Sequence, residues 1–255
     1  MKNFKVDKLN VKILPSRDEM GKAAAADISA KIKELLAVKD EINMIFAAAP
    51  SQNEALAHLV EYTDIEWGRI NAYHMDEYIG LAAEDADKSF SRYLTDHIFG
   101  KVPFKSVNLI NSTATDAEAE CARYSKLLAE NPTDIVVMGI GENGHIAFND
   151  PWVAKFDDEQ VVKVVPLDDV CRQQQVNDGC FSSVDKVPKQ AMTLTCPTLT
   201  KPAYQFCVVP AKTKAAAVKR TLNGDISEEC PATILRELDG ATLYLDADSS
   251  ELLDI

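Results

Sequence analysis

Apolar residues are grouped into eight short runs along the chain, each bounded by turn or charged residues. Most runs are nearly continuous rather than alternating, which is typical of strands covered on both faces of a sheet. The sequence therefore predicts eight strands, within INMIFAAA (42–49), GRINAYHM (68–75), SVNLI (106–110), DIVVMGIG (134–141), VVKVVP (161–166), AMTLTC (191–196), YQFCVVP (204–210) and ATLYLD (241–246).

Helix-like segments lie between these runs, at residues 18–38, 51–62, 116–131 and 211–224. The last of them ends in Asn-Gly, which is a common helix stop. Because strands and helices alternate along the chain, we predict an α/β fold with a Rossmann-like parallel sheet flanked by helices. No linker or repeat divides the chain, so we expect a single domain over residues 1–255.

One region, DDVCRQQQVNDGCFSSVDKVPK (168–189), breaks this alternation because it is polar and rich in glutamine and turn residues. Long irregular segments in compact domains often close over a binding site. We therefore predict an active-site lid at 168–189, with a solvated helix and loop as the alternative.

Composition narrows the classes of function. The formal net charge of −13 disfavours binding to nucleic acid or to an anionic membrane. The first thirty residues contain no long apolar segment and no apolar stretch reaches eighteen residues, so we expect a cytoplasmic protein. The six cysteines form no C-x-x-C pair and the four histidines have no metal-ligand spacing, so we predict reduced thiols and no metal.

The stretch VVMGIGENGHIAFNDP (136–151) contains a G-x-G-x-x-G pattern at Gly139, Gly141 and Gly144. In dinucleotide-binding folds this pattern belongs to the first strand–helix unit, and its third glycine lies in a long helix. Here the preceding strand is about the fourth, and Pro151 leaves little room for a helix. We therefore interpret the glycines as a tight turn at the carboxyl end of a strand, where open α/β sheets bind ligands.

Glu142, Asn143, His145 and Asp150 lie on this turn. A histidine can exchange a proton near neutral pH, and a neighbouring carboxylate or amide can fix its tautomer. In NAYHMDEYIGL (71–81), Asp76 follows another buried strand, so its carboxylate is expected to face the same crevice. The alternatives are a turn hydrogen bond at His145 and a helix cap at Asp76.

The two segments MDEYIGL and GIGENGHIAFNDP resemble motifs of the glucosamine-6-phosphate deaminases, which share their fold with the 6-phosphogluconolactonases. Three further segments, VPKQAMTLT (187–195), CVVPAKTKAAAV (207–218) and CPATILRELDGATLYLD (230–246), resemble that family in the same order. The resemblance covers most of the chain and implies a fold of the deaminase/isomerase type.

The resemblance also implies roles for individual residues. Asp76 would move a proton between C2 and C1 of the opened sugar, and His145, oriented by Asn143 and Asp150, would open the ring. Lys214 would bind the phosphate. The products would be ammonia and a ketose 6-phosphate, made from glucosamine 6-phosphate or galactosamine 6-phosphate without a cofactor.

The phosphate-binding segments depart from the family pattern. The loop AAAPSQNEAL (47–56) has Ser51, Gln52 and Asn53 as candidate ligands, and the Glu54 carboxylate would oppose a phosphate. In the lid, Arg172 matches one family arginine, whereas Asn177 stands where the phosphate-binding arginine is expected. Lys189 and Lys212 are possible substitutes.

Three alternatives to the deaminase hypothesis therefore stay open, and so does the oligomeric state. The chain could act on a different or unphosphorylated sugar, it could be a 6-phosphogluconolactonase, or it could be a sugar-binding protein without catalysis. A homo-oligomer is possible, since members of the family differ in this respect.

Overall fold

The fold consists of two sheets and seven α-helices in a computed structural model that describes residues 1–254, apart from the side chain of Ala83. Ile255, the last residue of the predicted domain, lies outside the described residues. The strands are β1 (Lys2–Val6), β2 (Leu9–Ile13), β3 (Ile42–Phe46), β4 (Ile70–His74), β5 (Asp76–Ile79), β6 (Ser106–Asn108), β7 (Ile135–Met138), β8 (Val162–Pro166), β9 (Gln190–Leu194), β10 (Tyr204–Val209) and β11 (Ala241–Leu245). The helices are α1 (Arg17–Leu36), α2 (Asn53–Leu59), α3 (Phe90–Leu94), α4 (Ala117–Glu130), α5 (Asp169–Asn177), α6 (Cys196–Thr200) and α7 (Ala215–Asn223).

The main sheet has eight strands in the order β1-β2-β11-β10-β7-β3-β4-β6. All its pairings are parallel except the antiparallel β1–β2 pair at one edge. From β3 the chain adds strands on one side, and from β7 it adds them on the other. The strand order therefore reverses between β3 and β7, and open α/β sheets bind ligands at such a reversal.

Helices cover both faces of the main sheet, as the continuous apolar runs predicted. In β3, Met44 and Phe46 pack in a core beneath α1, α2 and α3, whereas Ile45 points into a second core beneath α4, α6 and α7. All three side chains are fully buried. This two-sided burial holds the central strands rigidly, so the loops at their carboxyl ends start from fixed positions.

A second, three-stranded sheet has the order β5-β9-β8 and is antiparallel throughout. The sequence predicts both β8 and β9 as strands, which is confirmed. It also predicts that they belong to the parallel sheet, which is wrong. The apolar pattern could not distinguish a strand of the parallel sheet from one of the antiparallel sheet, because β8 and β9 are also largely buried. Strand β5 begins two residues after β4, and the backbone N–H of Leu194 joins β9 to Met75 with an N–O distance of 2.8 Å.

The N-terminal hairpin β1–β2 was not predicted. Its two-residue turn contains Asp7 at φ 52°, and β1 is half-exposed at the edge of the sheet. An exposed edge strand needs no continuous apolar run, so the pattern contained no signal for it. Among residues 1–254, none of the helices combines the length and the apolar character that crossing a membrane requires.

Candidate active site

A cleft opens at the carboxyl edge of the main sheet, where the strand order reverses. Four central strands send their following segments to it: Ser51 and Gln52 after β3, Asp76 after β4, the segment 139–151 after β7, and Lys214 after β10. We call residues 139–151 the shuttle loop. The prediction that Asp76 and His145 face a common pocket is met, since both line this cleft.

The shuttle loop is a tight turn and not the start of a helix. Gly144 has φ +91°, and a side chain at Gly141 would collide with the imidazole of His145. The backbone N–H of Gly141 bonds to the carbonyl of His145 at 2.9 Å. Residues 139–161 contain turns and one isolated bridge in place of the helix that a dinucleotide fingerprint requires. The glycines therefore serve to fold the loop around His145.

His145, Asn143 and Asp150 form one hydrogen-bonded cluster. The Asn143 amide Nδ2 donates to Asp150 Oδ1 at 2.8 Å, so the amide Oδ1 is the atom that faces His145 Nδ1, also at 2.8 Å. Asp150 Oδ1 lies 3.1 Å from the same Nδ1. Both neighbours of Nδ1 are acceptors, so Nδ1 carries the hydrogen and Nε2 is the basic nitrogen. Asp150 therefore reaches His145 directly.

Asp76 is the first residue of β5, not a helix cap, and only 6% of it is exposed. Burial, reinforced by the neighbouring Glu77, raises the pKa of Asp76 well above its ordinary value. Glu77 points away from the cleft and accepts hydrogen bonds from the backbone N–H groups of Tyr78, Phe90 and Ser91. Asp76 is thus a carboxylate with raised basicity, and its neighbour fixes the backbone around it.

Lys214 lies on the cleft wall at the beginning of α7, with 5% of its surface exposed. Its ammonium group has neither an ion pair nor a hydrogen bond to any residue that the structure describes. Burial lowers the pKa of Lys214, and the carboxylates of Asp178 and Glu142 act in the opposite direction. A buried ammonium without a partner is costly, so this position is prepared for an anion.

Of the three phosphate ligands predicted in the loop after β3, only two line the cleft. Ser51 and Gln52 line it, and the Gln52 amide Nε2 donates to Ser51 Oγ at 2.9 Å. Asn53 lies outside, where its Oδ1 accepts from the Tyr93 hydroxyl at 2.7 Å. Glu54 also points away, and its carboxylate pairs with the guanidinium of Arg17. The expectation that Glu54 would oppose a bound phosphate is therefore wrong.

The predicted lid contains helix α5, whose buried side packs over the cleft. Gln174 accepts from the backbone N–H of Glu142 at 2.8 Å, and Gln175 accepts from the Tyr78 hydroxyl at 2.7 Å. Asp178 lines the cleft as well, together with Phe90 and Phe148. The sequence analysis did not identify these residues. The three consecutive glutamines at 173–175 could have indicated them, because some of these polar side chains on a helix must face inward.

Arg172 and Asn177 do not reach the cleft. The Arg172 guanidinium is buried within the lid, where it donates to the carbonyl oxygens of Val184 and Val187. Asn177 is exposed and contacts the carboxylate of Glu142 at 3.4 Å. The possible substitutes do not reach it either, since Lys212 pairs with Glu251 at the surface and Lys189 is exposed outside the cleft lining.

His145, Asp150 and Cys171 are close enough to be considered as metal ligands. One imidazole nitrogen, one carboxylate oxygen and Sγ all lie within 4.8 Å of one another. Sequence spacing gave no sign of this group, because Cys171 comes from the lid. A metal on Nδ1 would have to displace the hydrogen that Asn143 and Asp150 hold there, so the contacts favour a hydrogen-bonded cluster.

Several known proteins are similar to this chain over most of its length. Residues 15–244 match the family model described as glucosamine-6-phosphate isomerases/6-phosphogluconolactonase. A glucosamine-6-phosphate deaminase of Listeria monocytogenes is 35% identical over 232 residues, which cover 91% of this chain and 97% of that protein. A deaminase of Bacillus cereus is 30% identical over 244 residues, covering 96% and 89% respectively.

Solved structures show the same fold. A monomeric glucosamine-6-phosphate deaminase superposes with a TM-score of 0.84 at 31% identity, covering 95% of this chain and 99% of that one. A 6-phosphogluconolactonase of Thermotoga maritima superposes with a TM-score of 0.73 at 20% identity, covering 92% and 98%. The second likeness supports the fold alone, whereas the first is accompanied by substantial sequence identity.

Proposed function

Because this chain belongs to the glucosamine-6-phosphate isomerase/6-phosphogluconolactonase family, we propose that it converts a hexosamine 6-phosphate and water into a ketose 6-phosphate and ammonia. The observation that carries the proposal is the joint presence of Asp76, His145 and an unpartnered Lys214 in one cleft. Each group has a distinct task in this reaction, and a protein that only binds sugars would need no buried base beside a proton shuttle.

His145 opens the sugar ring. Its basic Nε2 takes the proton from the anomeric hydroxyl and returns it to the ring oxygen, which leaves an open aldehyde. The hydrogen on Nδ1 stays with Asn143 and Asp150, at 2.8 and 3.1 Å, and this contact stabilises the transient imidazolium.

Asp76 moves the proton of the isomerisation. Its carboxylate removes the proton from C2 of the open aldose and delivers it to C1, while a proton of the amino group passes to O1. This leaves a hydroxyl at C1 and an imine at C2. Water then adds to that carbon and ammonia departs, so the ketose 6-phosphate is formed. A raised pKa strengthens Asp76 as a base for a carbon acid, and kcat/KM should fall as the pH is lowered through that raised value.

Lys214 and Ser51 hold the phosphate, and we refer to Ser51, Gln52 and Lys214 as the phosphate end. The Ser51 hydroxyl accepts from Gln52, so its own hydrogen is free to donate to a phosphate oxygen. Lys214 supplies the counter-charge. Asp178 lies on the lid side of the same cleft and weakens this anion site through like-charge repulsion.

Residues 168–189 act as the lid of this site, which we call the lid segment. The cavity beneath Gln174, Gln175 and Asp178 has a volume of about 60 Å³, room for a few water molecules but not for a hexosamine phosphate. Substrate entry therefore requires the lid segment to move outward. A cytoplasmic location and a homo-oligomeric state stay predictions.

Ammonia release from a panel of sugars tests the proposal. We expect release from glucosamine 6-phosphate or galactosamine 6-phosphate and little from free hexosamines. Release from free hexosamines alone would instead favour an enzyme for unphosphorylated sugars, and hydrolysis of 6-phosphogluconolactone without ammonia would favour a lactonase. Either result contradicts the proposal.

Asp76→Asn should abolish the activity of the protein without unfolding it. General-base catalysis typically contributes about 10²- to 10⁴-fold, so we expect a loss of at least about 10³-fold in kcat. The folded pKa of Asp76 is raised, so its ionisation costs stability as the pH rises through that value, and the amide should raise Tm at neutral pH. Asp239→Asn, at an exposed carboxylate, is the matched control.

A further inference from the structure

Gln175 belongs to the buried side of helix α5 and forms part of the roof of the cleft. Only 7% of the residue is exposed. Its Oε1 accepts a hydrogen bond from the Tyr78 hydroxyl at 2.7 Å. Its Nε2 has no partner among the residues that the structure describes, and yet it is not sealed from solvent. Since Gln175 lines the cleft, the two amide hydrogens face that space.

The Tyr78 hydroxyl determines which end of the Gln175 amide faces the cleft. Tyr78 is fully buried, and its ring centroid lies 4.6, 5.7 and 5.6 Å from those of Phe90, Phe148 and Phe181. Burial raises the pKa of Tyr78 well above its ordinary value, so the hydroxyl keeps its proton. Gln175 is the only hydrogen-bond partner of that hydroxyl within residues 1–254. A buried hydroxyl proton needs an acceptor, so Oε1 faces Tyr78 and Nε2 is left for the cleft.

The two preceding glutamines of α5 offer no such donor. The Gln174 amide Nε2 contacts Asp178 Oδ2 at 3.3 Å. Gln173 lies at the surface, where its Nε2 donates to Asn177 Oδ1 at 3.0 Å. Among these three glutamines, Gln175 is therefore the one that presents its amide hydrogens to a ligand in the cleft.

Gln175 lies between the catalytic base and the phosphate end. Its partner Tyr78 is two residues after Asp76 in β5. Asp178 follows Gln175 by about one helical turn, or about 4.5 Å along the axis, and its charge acts on Lys214. A sugar phosphate that extends from Asp76 to Lys214 therefore passes beneath Gln175 with the carbons that follow C2. When the lid segment moves to admit the sugar, Gln175 moves with α5 and stays on the side of the helix that faces the cleft.

We propose that Gln175 is a specificity-determining residue: its Nε2 donates a hydrogen bond to one of the hydroxyl oxygens at C3 and C4, which lie between the reacting carbons and the phosphate. The inference rests on the proposed function, because it takes the orientation of the sugar from it. A hydroxyl oxygen is the acceptor that this amide lacks in the empty cleft. A ligand without that hydroxyl leaves Nε2 unpaired beneath the lid segment and binds more weakly for that reason.

Calorimetric binding of unreactive ligands tests this contact. The ligands are the reduced, open-chain form of glucosamine 6-phosphate, which has no aldehyde, and its 3-deoxy and 4-deoxy analogues. We expect the unaltered protein to bind one of the two deoxy ligands about tenfold more weakly than the parent, as for the loss of one hydrogen bond. In Gln175→Met that preference should shrink to less than about twofold. Gln173→Met, at the exposed neighbour, is the matched control and should keep the full preference.

Gln175→Met leaves the Tyr78 hydroxyl without an acceptor, so the double variant Gln175→Met/Tyr78→Phe is measured as well. Because each protein is compared with itself on paired ligands, a change in packing affects both ligands and cancels. Inorganic phosphate, which probes the phosphate end, should bind to Gln175→Met and to the unaltered protein alike.

Three results would contradict the inference. A preference that persists in both variants overturns it alone, and so does a parallel loss of inorganic phosphate binding, which would place the amide on the phosphate. Absence of binding by the parent ligand, together with absence of ammonia release from every hexosamine 6-phosphate, overturns the proposed function and this inference with it.

Discussion

The shuttle loop and the phosphate end lie in the same cleft but are built in opposite ways. Within the shuttle loop, the contacts that orient the His145 imidazole are made between residues close in sequence, namely Asn143 with Asp150 and Asn143 with His145. At the phosphate end the ammonium of Lys214 has no partner among residues 1–254. The charges that act on its pKa are the carboxylates of Asp178 and Glu142, which come from other segments. The imidazole Nδ1 of His145 thus has its partners before substrate binds, whereas the ammonium of Lys214 has none among the described residues.

The difference shows which part of catalysis is prepared in the empty protein. The contacts of Nδ1 with Asn143 and Asp150 hold the His145 imidazole in one tautomer, so little reorganisation is needed when the sugar ring opens. An unpartnered buried ammonium carries an electrostatic cost, which a phosphate would relieve if Lys214 binds it as proposed. Substitutions in the first region should therefore change kcat, and substitutions in the second should change KM.

Asn143→Ala should give the largest effect of this comparison. The variant removes the acceptor that fixes His145 Nδ1 and one of the donors to Asp150. We expect kcat to fall about 10³-fold, as for the loss of an oriented acid–base group, with KM changed less than about threefold. Steady-state kinetics of ammonia release measures both values.

Asn131→Ala is the matched control for that variant, because Asn131 makes only a local bond to the Leu127 carbonyl at the end of α4. It should alter Tm slightly and leave kcat unchanged. A large rise in KM for Asn143→Ala, with kcat intact, would show that the shuttle loop is not the independent unit described above.

The local character of the shuttle loop explains why it could be predicted from sequence. Gly141, Gly144, His145 and Asp150 lie within ten residues, so their spacing alone indicated a tight turn around an imidazole. The strands next to the cleft were predictable for a similar reason, since burial on both faces produces continuous apolar runs. Asp76 could be added because the ends of parallel strands meet at one edge.

The lid segment itself could be predicted, but its contacts with the cleft could not, because they join residues that are distant in sequence. The bond between Gln174 and Glu142 spans 32 residues, and the pairing of Arg17 with Glu54 spans 37. The Arg17 guanidinium holds the Glu54 carboxylate outside the cleft, although the sequence predicted that this carboxylate would oppose a bound phosphate. The separate sheet of β5, β8 and β9 was missed because a buried strand shows the same apolar pattern in either kind of sheet.

Lys214→Met should weaken phosphate binding at the other end of the cleft. A charge-assisted hydrogen bond contributes about 1.5–3 kcal/mol, so we expect KM to rise about 10- to 100-fold with a much smaller change in kcat. The folded pKa of Lys214 is lowered, so its charge costs stability at neutral pH, and the methionine should raise Tm.

The control is Lys212→Met, two residues away, where the side chain is 75% exposed and pairs with Glu251 at 3.0 Å. It should leave KM within about twofold, as is usual for exposed charges. Equal effects of the two methionine variants would show that the general charge of the segment, and not one buried ammonium, attracts the phosphate.

Asp178→Asn should give the smallest effect, and it should lower KM where Lys214→Met raises it. The Asp178 carboxylate lies across the cleft from Lys214 without forming an ion pair, so it opposes a phosphate dianion. Since Asp178 is half-exposed and solvent screens its charge, we expect KM to fall only about three- to fivefold near neutral pH. Competitive inhibition by inorganic phosphate should strengthen by the same factor.

The lower KM of Asp178→Asn should disappear at alkaline pH. This pH dependence distinguishes a loss of charge repulsion from a general loosening of the lid segment. Asp178 helps to keep Lys214 protonated, so its removal lowers the pKa of Lys214 further, and the ammonium is lost at a lower pH than in the unaltered protein. KM of the variant should therefore be lower than that of the unaltered protein near neutral pH and approach or exceed it as the pH rises. Glu54→Gln, which removes the carboxylate that the sequence alone placed in the cleft, should leave KM unchanged at every pH, because Arg17 holds that group outside.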